Sequence, residues 1–390
     1  MDYETPQFFR VMRYAREADR DVVDMVSGNP DWDPPSALRE GLKAYADSPT
    51  EAFQYPPSVG LRDLREEIAT RRGVATDQVL VTNGAGEANH LAMAAGLEAF
   101  SGTEVLLVDP VYPYYPGRAS LLGADVSFVP TKVDGHLDAD AVRECASAET
   151  AVIVVNTPNN PLGATYDETT MAALVEVAEA HDALLVSDEV YDHFDYAGRF
   201  SSALAIDSPN RVVTNSFSKS MAITGWRVGY AIFPDPGGTG TDAGDEAGAD
   251  DGTAASGAES LFDRARTRHM LTNVTGSRPA QAAVLAALRE TEPAYYERNR
   301  ERLRERIDVF TTALDAAGAE FTRPDGGFYV MARFPDFAGS MENVERLVDE
   351  AGVAGMPGAA FGDSRADWLR FALVTPRVAT AAERLADYFE

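Results

Sequence analysis

A chain of 390 residues with 45% hydrophobic content is long enough for one large and one smaller core. Its formal net charge of −28 sets up a field that repels duplex nucleic acid and anionic membranes. The single cysteine, Cys145, excludes an intramolecular disulfide and a cysteine-rich metal site.

Further exclusions follow from the pattern. No apolar run is long enough to span a bilayer, and Met1–Pro6 is acidic and polar, unlike a signal peptide. With the lone cysteine, this sets the expectation of a cytoplasmic protein. His90, His136, His181, His193 and His269 show no metal spacing, so no metal is expected. The acids are spread, and lysine is nearly absent: three lysines stand against thirty-one arginines. That composition suits a solvated acidic surface in a halophilic protein, where high ionic strength screens self-repulsion.

In chain order, short valine-rich runs alternate with helical patterns from Val79 to Phe233. The runs are 79–82, 105–108, 126–129, 152–155, 184–187, 212–217 and 230–233. They are continuous rather than alternating, as in strands buried on both faces of a parallel sheet. Helical spacing fills 87–100 and 169–180. The expected fold is α/β: a mostly parallel sheet sandwiched by helices, with ligands at the carboxyl ends of its strands. Residues 235–260 are built from Gly, Asp, Ala, Thr, Ser, Glu and Pro and read as an acidic loop. Helical spacing resumes at Leu261. Beyond it, helices at 295–317, 343–351 and 380–389 and strands at 328–334 and 369–374 predict a smaller α+β domain. The expected divisions are an arm at 1–42, a large domain at 43–272 and a small domain at 273–390.

The polar ends of the strands carry the chemistry. The first run leads into Asn83-Gly84-Ala85-Gly86-Glu87, where glycines before a helix expose backbone N–H groups to an anion. A dinucleotide site is one reading, because Asp109 ends the next strand; Asn89, however, occupies the third glycine position of that fingerprint. Tyr112 follows Asp109-Pro110 and offers a flat ring. The run 152–155 ends at Asn156-Thr157-Pro158-Asn159-Asn160, and 184–187 ends at Asp188-Glu189-Val190-Tyr191. Then comes Ser216-Phe217-Ser218-Lys219, with Arg227 eight residues after the lysine. In a chain that avoids lysine, Lys219 is needed for something arginine cannot do, and an amine can lose its proton and attack a carbonyl.

Together these residues fit pyridoxal 5′-phosphate. Ala85, Gly86, Ser216, Ser218 and Arg227 offer donors to a phosphate. Asp188 suits a pyridinium nitrogen, Asn160 and Tyr191 a phenolate oxygen, and Lys219 an aldehyde.

On these residues the chain resembles the class I/II aminotransferase family, of the aspartate aminotransferase-like fold type I pyridoxal-phosphate transferases. The similarity runs through Gly28-Asn29-Pro30-Asp31, Tyr55 with Gly60–Arg65, Asn156–Gly163, Asp188–Tyr191, Ser216–Arg227, Pro357–Gly362 and Trp368–Phe371 in the family's order. The resemblance implies a ping-pong aminotransferase acting between an L-amino acid and a 2-oxo acid. A pyridoxal-phosphate-dependent lyase or decarboxylase on the same scaffold is the alternative. It implies that Lys219 binds the cofactor and shuttles the α-proton, that Asp188 holds the ring proton, and that Tyr112 stacks on the ring. Arg370, helped by Gly28 and Asn160, would bind the substrate α-carboxylate. Tyr55 would reach the phosphate of a neighbouring subunit, which requires a homodimer. Two departures stand out: Leu162 replaces a threonine, and Gly86-Glu87 replaces a lysine-containing version of the phosphate turn. The aromatic residues at Phe8–Tyr14 and near Trp32 are expected to line the side-chain pocket, favouring apolar or aromatic amino acids.

Overall fold

The computed structural model describes residues 7–235 and 259–389. Most of the expected acidic loop, 236–258, lies outside the described residues. After β1 (Val23–Asp24), seven strands build the main sheet: β2 (Val79–Thr82), β3 (Glu104–Asp109), β4 (Asp125–Pro130), β5 (Thr150–Asn156), β6 (Leu184–Asp188), β7 (Arg211–Ser216) and β8 (Gly229–Ile232). Their order is β2-β8-β7-β6-β5-β3-β4, and only β8 runs antiparallel to its neighbours.

The continuous apolar runs feed two cores because successive side chains alternate between faces. Val79, Val81, Leu106, Val108, Ile153, Val155, Leu185 and Val213 lie in one cluster. Leu80, Val105, Leu107, Val152, Val154, Leu184, Val186 and Val212 lie in the other, under the helix Ala85–Ala99. Burying each such side chain contributes about 1.5–3 kcal/mol. One strand departs from expectation. The run 126–129 lies in β4, an edge strand whose Phe128 is 43% exposed. It is covered less because it has a neighbour on one side only.

A second sheet, ordered β12-β13-β10-β9, is antiparallel: β9 (Glu320–Phe321), β10 (Tyr329–Arg333), β12 (Met356–Pro357) and β13 (Leu369–Ala372). β11 (Val353–Ala354) pairs in parallel with β1 and ties the early chain to this region. The helices Pro293–Ala316 and Val378–Phe389 supply its core through Ile307, Phe310, Leu314, Val378 and Leu385. The helix Gln7–Glu17 joins the same core: Val11 is buried, and Phe8, Met12 and Tyr14 pack against it. This places those side chains in a core rather than in the pocket expected for Phe8–Tyr14. The helix Ser36–Ala46 crosses the expected division at 42 and the helix Arg278–Glu290 lies beyond the one at 272, yet both send side chains, Leu38, Ala283, Val284 and Ala287, into the core of the main sheet. Among the described residues, no helix is long and apolar enough to cross a membrane.

Candidate active site

Parallel register brings the strand ends to one edge. Asn156 on β5 lies beside Asp188 on β6, and Asp188 lies beside Thr214 on β7. On the other side of β7, Ser216 faces Gly229 of β8, which in turn faces Thr82 of β2. Gly229 is required by this closeness: a Cβ there would lie 2.6 Å from the Gly84 carbonyl carbon and 2.7 Å from Asn215 O. The turn after β2 and the turn after β7 are thus drawn together around a residue without a side chain.

Asp188 is buried at 4% exposure. Its Oδ2 accepts hydrogen bonds from Asn89 Nδ2 and Tyr115 OH, both at 2.6 Å, and its Oδ1 accepts from the Val190 N–H at 3.1 Å. Asn89 is itself held by the Thr214 hydroxyl, which donates to Asn89 Oδ1 at 2.7 Å. Burial raises the Asp188 pKa, against the lowering effect of these donors and of Arg118. The carboxylate makes no salt bridge among the described residues, so it has hydrogen bonds but no counter-ion. The next residue, Glu189, points elsewhere and does have one. It pairs with Arg72, which also bonds Asp192 at 2.9 Å.

Lys219 Nζ donates to Gly28 O at 2.7 Å and sits 5.9 Å from the centre of the Phe328 ring. Burial first, then the charges of Arg370 and Arg227, push its pKa down to about 8. Arg370 is buried at 4% exposure. Its guanidinium lies 4.5 Å from the Tyr329 ring centre, donates from Nη1 to Asn160 Oδ1 at 3.4 Å, and donates from Nη2 to Val26 O. Its Nε has no partner, and it forms no ion pair among the described residues. A buried guanidinium in that state is set for a carboxylate. Asn160 is fixed through its backbone N–H, which donates to Asn156 Oδ1 at 2.8 Å.

Tyr191 shares a hydrogen bond of 3.2 Å with Tyr329 OH. Burial raises the Tyr112 pKa, and its ring centre lies 5.1 Å from that of Tyr114. Ala85 and Gly86 open the helix Ala85–Ala99 behind Gly84. Arg227 adopts a left-handed φ of 59°, uncommon for a side chain of its size. It donates from Nη1 to Thr224 O at 2.9 Å and from Nη2 to Asn83 O at 3.3 Å, and a Cβ on Gly84 would lie 2.5 Å from its Nη2. Ser216, the last residue of β7, and Ser218, in the turn that follows, are both buried. Tyr55 stands apart: its side chain is 81% exposed and makes no hydrogen bond among the described residues.

Asn89, Tyr115, Thr214, Tyr329 and Arg118 were not anticipated as site residues. Asn89 carries the strongest sequence signal of these, being a polar residue inside the apolar helix 87–100, but its place in an incomplete glycine fingerprint masks its role.

The family model described as aminotransferase class I and II matches residues 20–385. A probable aspartate/prephenate aminotransferase of Thermus aquaticus is 33% identical over 379 residues, covering 94% of this chain and 91% of that one. An aspartate aminotransferase of Thermotoga maritima is 31% identical over 378 residues, covering 94% and 91%. Among solved structures, the aspartate aminotransferase of Thermus thermophilus with maleate superposes with a TM-score of 0.85 at 29% identity, covering 99% of this chain and 97% of that one.

Proposed function

The chain belongs to the class I and II aminotransferases and moves an amino group between an L-amino acid and a 2-oxo acid, and from that premise we propose that it does so with pyridoxal 5′-phosphate carried on Lys219. The observation that carries this reading is the Lys219 amine: part-buried, held 2.7 Å from Gly28 O, lowered to about 8, and forming no salt bridge among the described residues. The surrounding groups fit the cofactor. Asp188 is a buried carboxylate without a counter-ion, which a protonated pyridine nitrogen would supply. Ala85, Gly86, Ser216, Ser218 and Arg227 suit the phosphate, Tyr112 the ring face, and Asn160 with Tyr191 the phenolate oxygen.

When bound, pyridoxal phosphate supplies an aldehyde for the amino group and a ring that draws off electrons from the α-carbon. The chain's own residues do the rest. Arg370 clamps the substrate α-carboxylate, with Asn160 and the backbone at Gly28 on its flank. Lys219 Nζ takes the α-proton and returns it, a role suited to an amine held well below its ordinary value. Asp188, oriented by Asn89 and Tyr115, keeps the ring nitrogen protonated. The amino donor leaves as a 2-oxo acid before the acceptor binds, which gives ping-pong kinetics.

In this reading residues 43–272 hold the cofactor, while 1–42 and 273–390 supply the substrate side. Tyr55 extends to the phosphate of a neighbouring subunit, making the active unit a homodimer in the cytoplasm of a salt-adapted cell. Aspartate is the donor we propose, on the names of the relatives. Aromatic amino acids are a second reading, favoured by the cluster of Trp32, Tyr191, Phe328 and Tyr329. Profiling amino donors with 2-oxoglutarate as acceptor tests both. Aspartate should give the highest kcat/KM, and a preference for phenylalanine or tyrosine would replace the first reading with the second.

A further inference from the structure

We propose that Arg118 is a second guanidinium for the cofactor phosphate, supplying from across the site a cation that the turn Asn83–Glu87 lacks; this rests on the cofactor assignment above. The helix Tyr114–Leu121 carries Arg118 one turn beyond Tyr114, with its guanidinium 5.8 Å from the Tyr114 ring centre. From there it reaches the opening turn of the helix Ala85–Ala99. A Cβ built on Gly86 would lie 3.0 Å from Arg118 Nη2 and 3.8 Å from Arg227 Nη2. Two guanidinium groups therefore converge on one point of the backbone.

Such a pair repels unless an anion lies between them. Among the described residues neither forms a salt bridge. Arg227 gives one hydrogen bond from each Nη to the carbonyls of Thr224 and Asn83, which leaves further N–H groups for an anion, and Arg118 Nη1 is buried with no hydrogen-bond partner. Leaving a buried charged donor unpaired is costly, so a group that completes it is called for. Glu87, the acid of this turn, does not fill that role. Its carboxylate accepts from the Asn83 N–H and from Asn273, and lies 2.8 Å from His269 Nδ1. A phosphate at the N–H groups of Ala85 and Gly86 has enough oxygens to accept from both arginines.

Gly86 is part of the same device. It is not one of the left-handed glycines, so backbone conformation does not demand it; what a Cβ there meets first is the end of the Arg118 side chain. Any side chain there would crowd the Arg118 guanidinium. The chain has no lysine in the turn and leaves room for an arginine reaching in from the next helix.

The test is titration of the cofactor-free protein, at one fixed salt concentration, with pyridoxal phosphate and separately with pyridoxal, which lacks the phosphate. Arg118→Gln should weaken pyridoxal phosphate binding about ten- to a hundredfold and leave pyridoxal binding unchanged. Arg118→Lys should retain part of the difference. Gly86→Lys combined with Arg118→Gln should recover affinity for the phosphorylated compound, because the new cation enters the space the guanidinium vacated. Equal weakening toward both compounds would reduce Arg118 to a structural role and overturn the proposal, as would no weakening toward either. Wild-type protein that takes up neither compound would instead overturn the cofactor reading, and this inference with it.

Discussion

Burial and the neighbouring charges of Arg370 and Arg227 bring the Lys219 amine from an ordinary 10.5 down to about 8. Below about 8, both folded and unfolded chains of the cofactor-free protein carry that proton, and the folded state bears the cost of burying it. Between about 8 and 10.5 the folded chain releases it first, so unfolding takes up a proton and stability rises with pH. Urea denaturation of cofactor-free wild type and Lys219→Met across that window should show this rise as a difference between the two. Identical pH profiles would mean that the amine is not desolvated. Lys219 was legible in the sequence because a lysine-poor chain had retained it between hydroxyls. Asp188 was legible because it ends an apolar run, and Arg370 only through the resemblance of Trp368–Phe371 to a family motif, since it lies within β13. Asn89 was not. Its part is to hold Asp188, ninety-nine positions away in the chain, and spacing along one helix does not reveal which strand end that helix crosses.

At the end of β6, two consecutive carboxylates face opposite ways. Asp188 turns to Asn89 and Tyr115, and Glu189 turns to Arg72 and Ser202. The second set is an anchor: Glu189 is fully buried, and Arg72 ties it and Asp192 to the helix Arg62–Arg72. Arg72→Ala should cost about 3–5 kcal/mol, because it leaves Glu189 buried without its cation. Glu189→Gln in the same background should return part of that loss, as read from urea midpoints. An Arg72→Ala protein as stable as wild type would show that the pair anchors nothing. Strand positions were legible to within two residues at each end of the main-sheet runs, since valine-rich runs bounded by polar turns have few other uses. Their order in the sheet was not. The run 126–129 looked as buried as the others, yet it became the edge strand β4, because hydrophobicity records burial and not the number of neighbours.

The whole molecule carries a net charge of −28, and this self-repulsion weakens the compact state unless salt screens it. The melting temperature should therefore rise as potassium chloride is raised from dilute to molar concentrations. A flat response would remove the argument for a halophilic protein. Tyr55 belongs at this scale too. Exposed at 81%, with Phe53 exposed at 56% on the same stretch, it gains a partner in the proposed homodimer. Tyr55→Phe should weaken pyridoxal phosphate binding several-fold, on the order of one hydrogen bond, while sedimentation still shows a dimer. A monomeric wild type with full activity would contradict the shared site. The acidic composition was legible at once; the reach of Tyr55 was legible only through the family resemblance, because a single chain's sequence does not display its neighbour's surface.

The central claim is that Lys219 is the amine that carries the cofactor, and borohydride reduction of the purified holoenzyme followed by peptide mapping tests it most directly. A phosphopyridoxyl group should appear on the peptide containing Lys219, and Lys219→Ala should acquire no label and lose transaminase activity. A label on Lys43 or Lys132 instead, or a Lys219→Ala protein with full transaminase activity, would contradict the account.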